Sequence, residues 1–366
     1  MEPSNSISEY IKNNLSSRIG IIDTGITQNL LLFHYTSTPE TDIEKSIRGV
    51  ITDTNYKVVM PSLPYTNDIV FTGTNDCLPF LTDGSDNTYF KGLEGSIIRL
   101  YNYNGMWSVS TTKKINAMDS KWGGDEPFEI LFKNAIVSSC GIAYDTFLNS
   151  LSVNHQYVFL LNNIEQTRIV SYVTTDGPHV YLVAVFSGDD LMFADGTTKI
   201  GSLNIKTLEK LCEFPKAEEL MGYNLQSQGV FVVSKKNDKI HLFKVITPQY
   251  YKVSQLRGNT FSIESRYLEL RGESEKLKEF VQFFKAYDYK FADIEARISF
   301  LSSYFLERYN TRFYYGRYAN VDKRFYPYFL GLRAYQKGNN MLTAGDVCQY
   351  FNDTHHFILE RILKII

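Results

Sequence analysis

The chain has 366 residues, of which 43% are hydrophobic and 21% charged, and its formal net charge is −2. This composition excludes wholesale disorder, and the weak overall charge means that any binding of a polyanion must come from a local patch. Because the chain is more than twice as long as a typical domain of about 150 residues, two domains are expected.

The cysteines and the hydropathy pattern limit the compartment and the cofactors. The four cysteines are far apart, with no Cys-x-x-Cys pair, so neither a structural metal site nor a disulfide framework is expected. The N-terminal stretch is polar and unlike a signal peptide, and no apolar run approaches the roughly 20 residues of a membrane span. We therefore expect an intracellular, cytoplasmic protein with no membrane partner.

The first part of the chain is rich in predicted strands. Residues 1–20 have the pattern of a short capped helix, and from residue 21 to about 253 apolar residues mostly recur at every second position. Helical patterns are sparse in this part, with 127–135 and 143–150 the best candidates. The predicted strands, each bounded by Gly, Asn, Asp or Pro, are 49–52, 56–61, 96–101, 107–111, 157–161, 180–186, 230–234 and 240–246.

After Arg271 the spacing of apolar residues changes to three or four, which is typical of amphipathic helices. The predicted helices are 273–287, 291–309, 326–336 and 347–365. The sequence therefore predicts an α+β protein with a β-rich domain over 1–272 and an all-helical domain over 273–366.

The stretch 89–122, YFKGLEGSIIRLYNYNGMWSVSTTKKINAMDSKW, has the pattern of a strand, a Glu-Gly turn, a strand, a hairpin and a further strand. Here the chain resembles the covalent nucleotidyltransferases, which include ATP-dependent RNA and DNA ligases and capping enzymes. It is most similar to the T4-type RNA ligase branch, including ligase-like proteins of large DNA viruses. The resemblance implies an antiparallel β domain in which a lysine attacks the α-phosphate of ATP.

Other phrases extend the resemblance over residues 45–271, in the family's order. RGVITD resembles an Arg-Gly strand pair in which Arg48 would face the nucleotide phosphates. QYVFLLNNIEQTRIV resembles the third motif, aligned on Arg168, and SQGVFVVSKKNDKIHLFKV resembles the fourth and fifth motifs. The residues that the resemblance would bring together around a nucleotide, in one concavity between two β layers, are Arg48, Glu94, Arg99 and Lys244.

The chain departs from the family pattern at the chemical positions. The nucleophilic lysine should stand three residues before Gly95, where this sequence has Gly92, and Lys91 lies one position too early. A one-residue offset should aim Lys91 at the opposite face of its strand, unless a local bulge restores it.

Leu161 and Gln228 stand at the positions of the third and fourth motifs' glutamates, and Ile246 at that of the fifth motif's second lysine. Because nucleotidyl transfer needs nucleophile, metal-binding acids and lysines together, a degenerate site is expected. ATP and Mg²⁺ would be its cofactors only if it is active.

A second candidate site lies in the predicted helical domain. Residues 304–337 hold seven Lys and Arg against Glu307 and Asp322, interleaved with twelve Tyr and Phe. Cations release counterions from a phosphate backbone and ring faces stack on unpaired bases, so this pattern is typical of nucleic-acid binding. The alternative is that the aromatics form the core and the arginines are solvated. The candidate nucleic-acid contacts are Arg308, Arg312, Tyr315, Arg317, Lys323 and Arg324.

Three functions stay open from the sequence. The preferred one is a catalytically inactive, ligase-like protein that binds nucleic acid, RNA rather than DNA, or a nucleotide. The first alternative is an active ATP-dependent RNA ligase with Lys91 as nucleophile. The second is a structural or interaction protein of a large DNA virus that reuses the fold and binds other viral proteins.

Overall fold

The computed structural model of the protein describes residues 3–25, 29–75, 78–121, 126–163, 169, 178–201, 203–223, 225, 227–260, 262–336 and 340–365. The chain divides into two compact units, Met1–Lys252 and Val253–Ile366, which we call the β unit and the helical unit. No helix in these described ranges is long and apolar enough to cross a membrane.

The β unit is built from short strands with a few short helices between them. Its described strands are β1 (Ile19–Gly25), β2 (Leu30–Tyr35), β3 (Arg48–Asp53), β4 (Val58–Met60), β5 (Thr66–Val70), β6 (Asp86–Gly92), β7 (Ser96–Tyr103), β8 (Met106–Ser110), β9 (His155–Asn162), β10 (His179–Ser187), β11 (Asp190–Phe193), β12 (Lys210–Leu211), β13 (Gly229–Lys236) and β14 (Lys239–Ile246). Its helices are α1 (Ser4–Asn14), α2 (Asp42–Lys45), α3 (Pro79–Thr82), α4 (Phe128–Cys140), α5 (Tyr144–Asn149) and α6 (Ala217–Gly222), and α7 (Pro248–Arg257) crosses the boundary between the units.

The strands form three sheets that are antiparallel except for one pair. The first sheet has the order β1-β2-β3-β4, the second β11-β10-β9-β7-β8, and the third β12-β6-β13-β14-β5. The parallel pair is β14 with β5, at one edge of the third sheet.

All three sheets contribute to one apolar cluster, which we call the inner cluster. Its buried residues include Leu32 and Ile51 from the first sheet, Tyr101, Val158 and Leu160 from the second, and Phe90 from the third. Since alternate side chains of a strand point to opposite faces, the intervening residues belong to other clusters. Leu161 packs with α4 and α5, Val230 packs with α3 and α6, and Val50 packs with α1.

The helical unit holds six α-helices in its described part, together with two short segments of other helical types. They are α8 (Ile263–Leu270), α9 (Ser274–Phe283), α10 (Asp288–Tyr309), α11 (Tyr326–Tyr335), α12 (Ala344–Asp353) and α13 (His356–Leu363), with a 3₁₀ turn at Lys285–Tyr287 and a π-helical turn at Asn310–Tyr314. Aromatic rings fill much of its core, where Phe305 contacts the rings of Phe325, Phe329 and Phe351.

The prediction of antiparallel sheets followed by a helical region is confirmed, and two details differ. The predicted domain boundary at 272 falls after α8, whereas the compact units divide at Lys252, because α8 packs against α9, α10 and α13. The predicted helix 347–365 is two helices, because Thr354 adopts an extended conformation and ends α12.

Candidate functional site

Gly92, at the position where the resemblance would place the nucleophilic lysine, ends β6, and Lys91 and Gly92 are on opposite faces of that strand. Lys91 pairs across the strands with Val230, which belongs to the cluster around α3 and α6. Gly92 is two residues from Phe90 and shares its face, which is that of the inner cluster. Lys91 Nζ lies 3.6 Å from a carboxylate oxygen of Glu209, so its ammonium is held by an acid on the face away from the inner cluster.

Gly92 is closely packed by the backbone of β13. A Cβ atom added to Gly92 would lie 2.9 Å from the carbonyl oxygen of Gly229. The Gly92 carbonyl accepts hydrogen bonds from the Gln228 N–H at 2.9 Å and from the Ser227 hydroxyl at 3.2 Å. Gly229 itself has a φ of +136° and tolerates no side chain, because a Cβ there would lie 1.9 Å from the Val245 carbonyl oxygen. The position is therefore closed by backbone.

Glu94 occupies the turn between β6 and β7 and is 7% exposed. One carboxylate oxygen accepts a hydrogen bond from the Ile169 N–H at 3.0 Å, and the other accepts one from the Tyr250 hydroxyl at 3.2 Å. The Glu94 carbonyl also accepts a hydrogen bond from the Asn162 amide at 2.8 Å. Both carboxylate oxygens of Glu94 are therefore engaged by hydrogen-bond donors of the β unit.

The other motif positions lie on different faces. Leu161 is fully buried and belongs to the cluster with α4 and α5, on the face of β9 opposite to the inner cluster. Lys244 pairs across the strands with Phe231, a residue that packs on the inner cluster, so Lys244 faces the inner side of the third sheet. Arg168, on which the third motif was aligned, lies outside the described residues.

Arg99 is a buried cation that joins two parts of the β unit. It is 1% exposed, pairs with Val158 of the inner cluster, and donates hydrogen bonds to the carbonyl oxygens of Gly49 and Thr111. Burial lowers the pKa of the Arg99 guanidinium to about 10. Its two terminal nitrogens are thus occupied by backbone oxygens.

Arg48, His34 and Lys113 form a cluster, which we call the cationic cluster, that the sequence does not predict. Arg48 lies directly opposite His34 in the pairing of β3 with β2, and the irregular Gly49, with a φ of +90°, follows it. The backbone of Thr112 contacts Gly49, which brings the 111–114 segment beside the start of β3. Burial, and then the positive charges of Arg48 and Lys113, lower the pKa of His34. His34 is not among the residues that the sequence singles out.

The strand pairing therefore places Arg48, Arg99 and Lys244 on the faces of their sheets that surround the inner cluster, whereas Lys91 is on an outer face. Glu94 lies beyond the end of β6. Among the residues that the structure describes, no group of three or more His, Cys, Asp or Glu side chains is arranged to hold a metal ion.

In the helical unit, the candidate nucleic-acid residues fall into two groups. Arg308 and Arg324 have acidic partners, since Arg308 Nη1 lies 2.6 Å from Glu307 and Arg324 Nη2 lies 2.7 Å from Asp322. Arg312, Tyr315 and Arg317 are exposed. The guanidinium of Arg312 lies 5.7 Å from the ring centroids of Phe313 and Tyr326. The guanidinium of Arg317 lies 5.9 Å from the ring centroid of Tyr315. Lys323 is also exposed.

The chain is similar to two curated viral proteins. It is 26% identical over 305 residues to the "Immediate-early protein ICP-46 homolog" of Invertebrate iridescent virus 6, covering 77% of this chain and 66% of that protein. It is 26% identical over 221 residues to the protein of the same name from Invertebrate iridescent virus 3, covering 60% and 48%. The chain thus spans less than two thirds of the length of these relatives. No protein-family model matches it.

Solved structures similar to the chain include two ligases. A putative ATP-dependent DNA ligase from Aquifex aeolicus has a TM-score of 0.44 and 12% identity, covering 78% of this chain and 71% of the ligase. A variant of Naegleria gruberi RNA ligase with ATP and Mn has a TM-score of 0.35 and 15% identity, covering 61% and 64%.

Proposed function

We propose that the protein is a ligase-like, nucleic-acid-binding protein that does not form a lysyl-nucleotide. The observation that carries this proposal is the nucleophile position itself. Gly92 has no nucleophile, and the carbonyl oxygen of Gly229 fills the space that the first atom of a side chain would need. A lysine amine is what the family's chemistry requires at this place.

The alternative of a shifted register, with Lys91 as nucleophile, has less support. The β6–β13 pairing is regular through Lys91, so no bulge turns its side chain inward. The Lys91 ammonium also lies 3.6 Å from a carboxylate oxygen of Glu209, on the face of the third sheet away from the inner cluster.

Reversible binding of phosphate groups at Arg48 is the function we propose for what is left of the nucleotide site. The charges of Arg48 and Lys113 both act on His34, and no ion pair to Arg48 or Lys113 occurs within the described ranges. Lys244 and Glu94 are further candidate contacts. Arg99 would act by holding the backbone of Gly49 next to Arg48 rather than by touching a phosphate.

The nucleic-acid partner would be bound by the helical unit, through Arg308, Arg312, Tyr315, Arg317, Lys323 and Arg324. Arg312, Arg317 and Lys323 are exposed, as contacts to a phosphate backbone must be, although the alternative of solvated cations expects the same exposure, so binding has to be measured. We further propose that the protein acts inside an infected cell and contacts RNA and other viral proteins; the name of the relatives, immediate-early proteins of viruses, supports only the viral setting.

Incubation with α-labelled ATP or GTP, with Mg²⁺ or Mn²⁺, tests the proposal. We expect no covalent nucleotide by intact-mass spectrometry, together with salt-sensitive binding of RNA in the same preparation. An adduct on Lys91 that Lys91→Ala abolishes would establish the active ligase. The absence of both the adduct and the RNA binding would contradict the proposal and favour the structural or interaction protein instead.

A further inference from the structure

The π-helical turn at Asn310–Tyr314 extends α10 and carries the exposed ring of Tyr314, and the exposed rings of Tyr315 and Tyr318 follow just beyond it. It is anchored by one side chain, because the Asn310 amide donates to the Leu342 carbonyl at 3.0 Å and accepts from the Leu342 N–H at 2.8 Å. Asn310 and Leu342 are both buried. Single turns of π-helix are rare and frequently mark functional sites.

A cation and two rings fix the turn from the other side. The ring of Phe313 stacks on that of Phe329, with centroids 5.5 Å apart and planes at 23°, and the guanidinium of Arg333 lies 3.9 Å from the Phe313 centroid. Phe329 and Arg333 are four residues apart on α11 and share one face of that helix. The guanidinium of Arg312 extends the arrangement to the ring of Tyr326. Arg312 and Arg333 therefore stack on rings.

Three tyrosines on and beyond this turn present their rings to solvent. Tyr314 is 49% exposed, Tyr315 is 54% exposed, and Tyr318 is 89% exposed. The rings of Tyr314 and Tyr315 are 5.0 Å apart at an angle of 77°, so they display differently oriented faces. Large aromatic groups left outside the core on an anchored segment indicate a binding surface rather than packing.

We propose that these three tyrosines form a stacking surface for the unpaired bases of single-stranded nucleic acid. Base faces stack on aromatic rings irrespective of sequence, and in a duplex those faces are hidden within the helix. Arg317 and Lys323 supply phosphate contacts beside these rings, and Arg333 holds the turn in place through the ring of Phe313. This inference rests on the proposed nucleic-acid binding and assigns the strandedness of the ligand and the residues that select it.

Fluorescence anisotropy with a labelled RNA of about 12 nucleotides, alone and annealed to its complement, tests this selectivity. We expect the single strand to bind more tightly than the duplex, and Tyr318→Ala to weaken it by roughly 5- to 150-fold, as for loss of one stacked base. Tyr318→Phe keeps the ring and should keep the affinity. The matched control is Tyr289→Ala, which removes a ring that is 69% exposed elsewhere in the same unit.

The salt dependence of the same binding separates stacking from charge. Tyr318→Ala should leave the slope of affinity against salt unchanged, whereas Lys323→Ala should reduce it and the control Lys285→Ala should not. Equal affinity for single strand and duplex, with Tyr314, Tyr315 and Tyr318 variants like the control, would overturn this inference and leave nucleic-acid binding intact. Failure to bind either form would overturn the inference and the proposed nucleic-acid binding together, and would favour a protein partner for the tyrosines.

Discussion

The carbonyl oxygen of Gly229 lies 2.9 Å from the position that a Cβ atom on Gly92 would occupy. Contacts this short do not occur for real Cβ atoms, so β6 and β13 can approach as they do only because residue 92 is glycine. The hydrogen bond from the Gln228 N–H to the Gly92 carbonyl fixes the same approach. Glycine at residue 92 is thus coupled to the packing of the third sheet.

Replacing Gly92 with lysine should therefore not restore nucleotidyl transfer. The side chain would push the β6 and β13 backbones apart, at a cost typical of overpacking, about 1–3 kcal/mol in the free energy of unfolding. Urea denaturation of Gly92→Ala and Gly92→Lys measures this cost. The control is Gly222→Ala, where an added Cβ meets nothing within 4 Å. A Gly92→Lys protein with unchanged stability and a lysyl-nucleotide would contradict both expectations.

The pKa of His34 reports on the cationic cluster. Burial and the charges of Arg48 and Lys113 lower the pKa of His34. The Tyr35 carbonyl, 3.0 Å from Nδ1, acts in the opposite direction and raises it. On the β1 side, the residue opposite His34 is the uncharged Gly20. Removing a neighbouring cation favours the protonated imidazole, so Lys113→Ala should raise the pKa of His34. A bound phosphate should raise it as well. NMR titration of the imidazole measures both effects.

The same titration of Lys57→Ala is the control, because Lys57 is an exposed lysine of the β unit that does not act on His34. If Lys113→Ala and Lys57→Ala leave the His34 pKa equally unchanged, Lys113 is not part of the cluster. If inorganic phosphate leaves the pKa unchanged in the wild-type protein, the cluster is not a phosphate site.

Arg99 and Arg48 should differ in what their substitution changes. Arg99→Lys replaces a planar fork that reaches the Gly49 and Thr111 carbonyls with a single ammonium that cannot reach both. One buried carbonyl would lose its donor, and the free energy of unfolding should fall by about 1–3 kcal/mol. Arg48→Lys, at an exposed position, should leave stability unchanged. Equal midpoints of urea denaturation for the two variants would contradict the assignment of Arg99 as a structural residue.

Glu44 should make the β unit sensitive to acid. Its carboxylate accepts hydrogen bonds from Arg18 Nε at 2.7 Å, from Arg18 Nη2 at 2.8 Å and from the Tyr10 hydroxyl at 2.8 Å, and these hold the pKa of Glu44 far below its usual range. Because the folded-state pKa is lowered, the stabilisation is present above the unfolded value of about 4.3 and is lost as the pH falls below it. Glu44→Gln should lower the denaturation midpoint at neutral pH and have a smaller effect in acid. A pH-independent difference would show that charge is not the cause.

The sequence predicted much of the fold because most strands of the second and third sheets are apolar runs bounded by Gly, Asn, Asp or Pro. It missed β1 and β2, because Ile21 and Ile22 are exposed on an edge strand and LLLFHY shows no alternation. It also missed β5, whose TNDIV sequence is polar because the strand lies at a sheet edge.

The candidate site was less accessible to sequence reasoning than the fold. The one-residue offset between Lys91 and Gly92 could be counted in the sequence. The β6–β13 pairing shows what it means in the structure, which is that the two residues lie on opposite faces of β6. The burial of Arg99 and the grouping of Arg48 with His34 depend on contacts between segments distant in the chain. A bulge at Gly49 turns Arg48 to the side of His34, and no local pattern indicates it.

Asn310 should control the stacking surface without touching a ligand. Its amide satisfies both the N–H and the carbonyl of Leu342, and all of these groups are buried. Asn310→Ala leaves a buried N–H and a buried carbonyl without these partners, which should lower the free energy of unfolding by about 1–3 kcal/mol for each group left unpaired. The π-helical turn then loses its anchor, so affinity for single-stranded RNA should fall while the salt slope, set by Arg317 and Lys323, stays the same. The control is Asn320→Ala, at an exposed asparagine near the same turn. Identical stability and RNA affinity in the two variants would show that the Asn310–Leu342 pair does not hold the tyrosines in place.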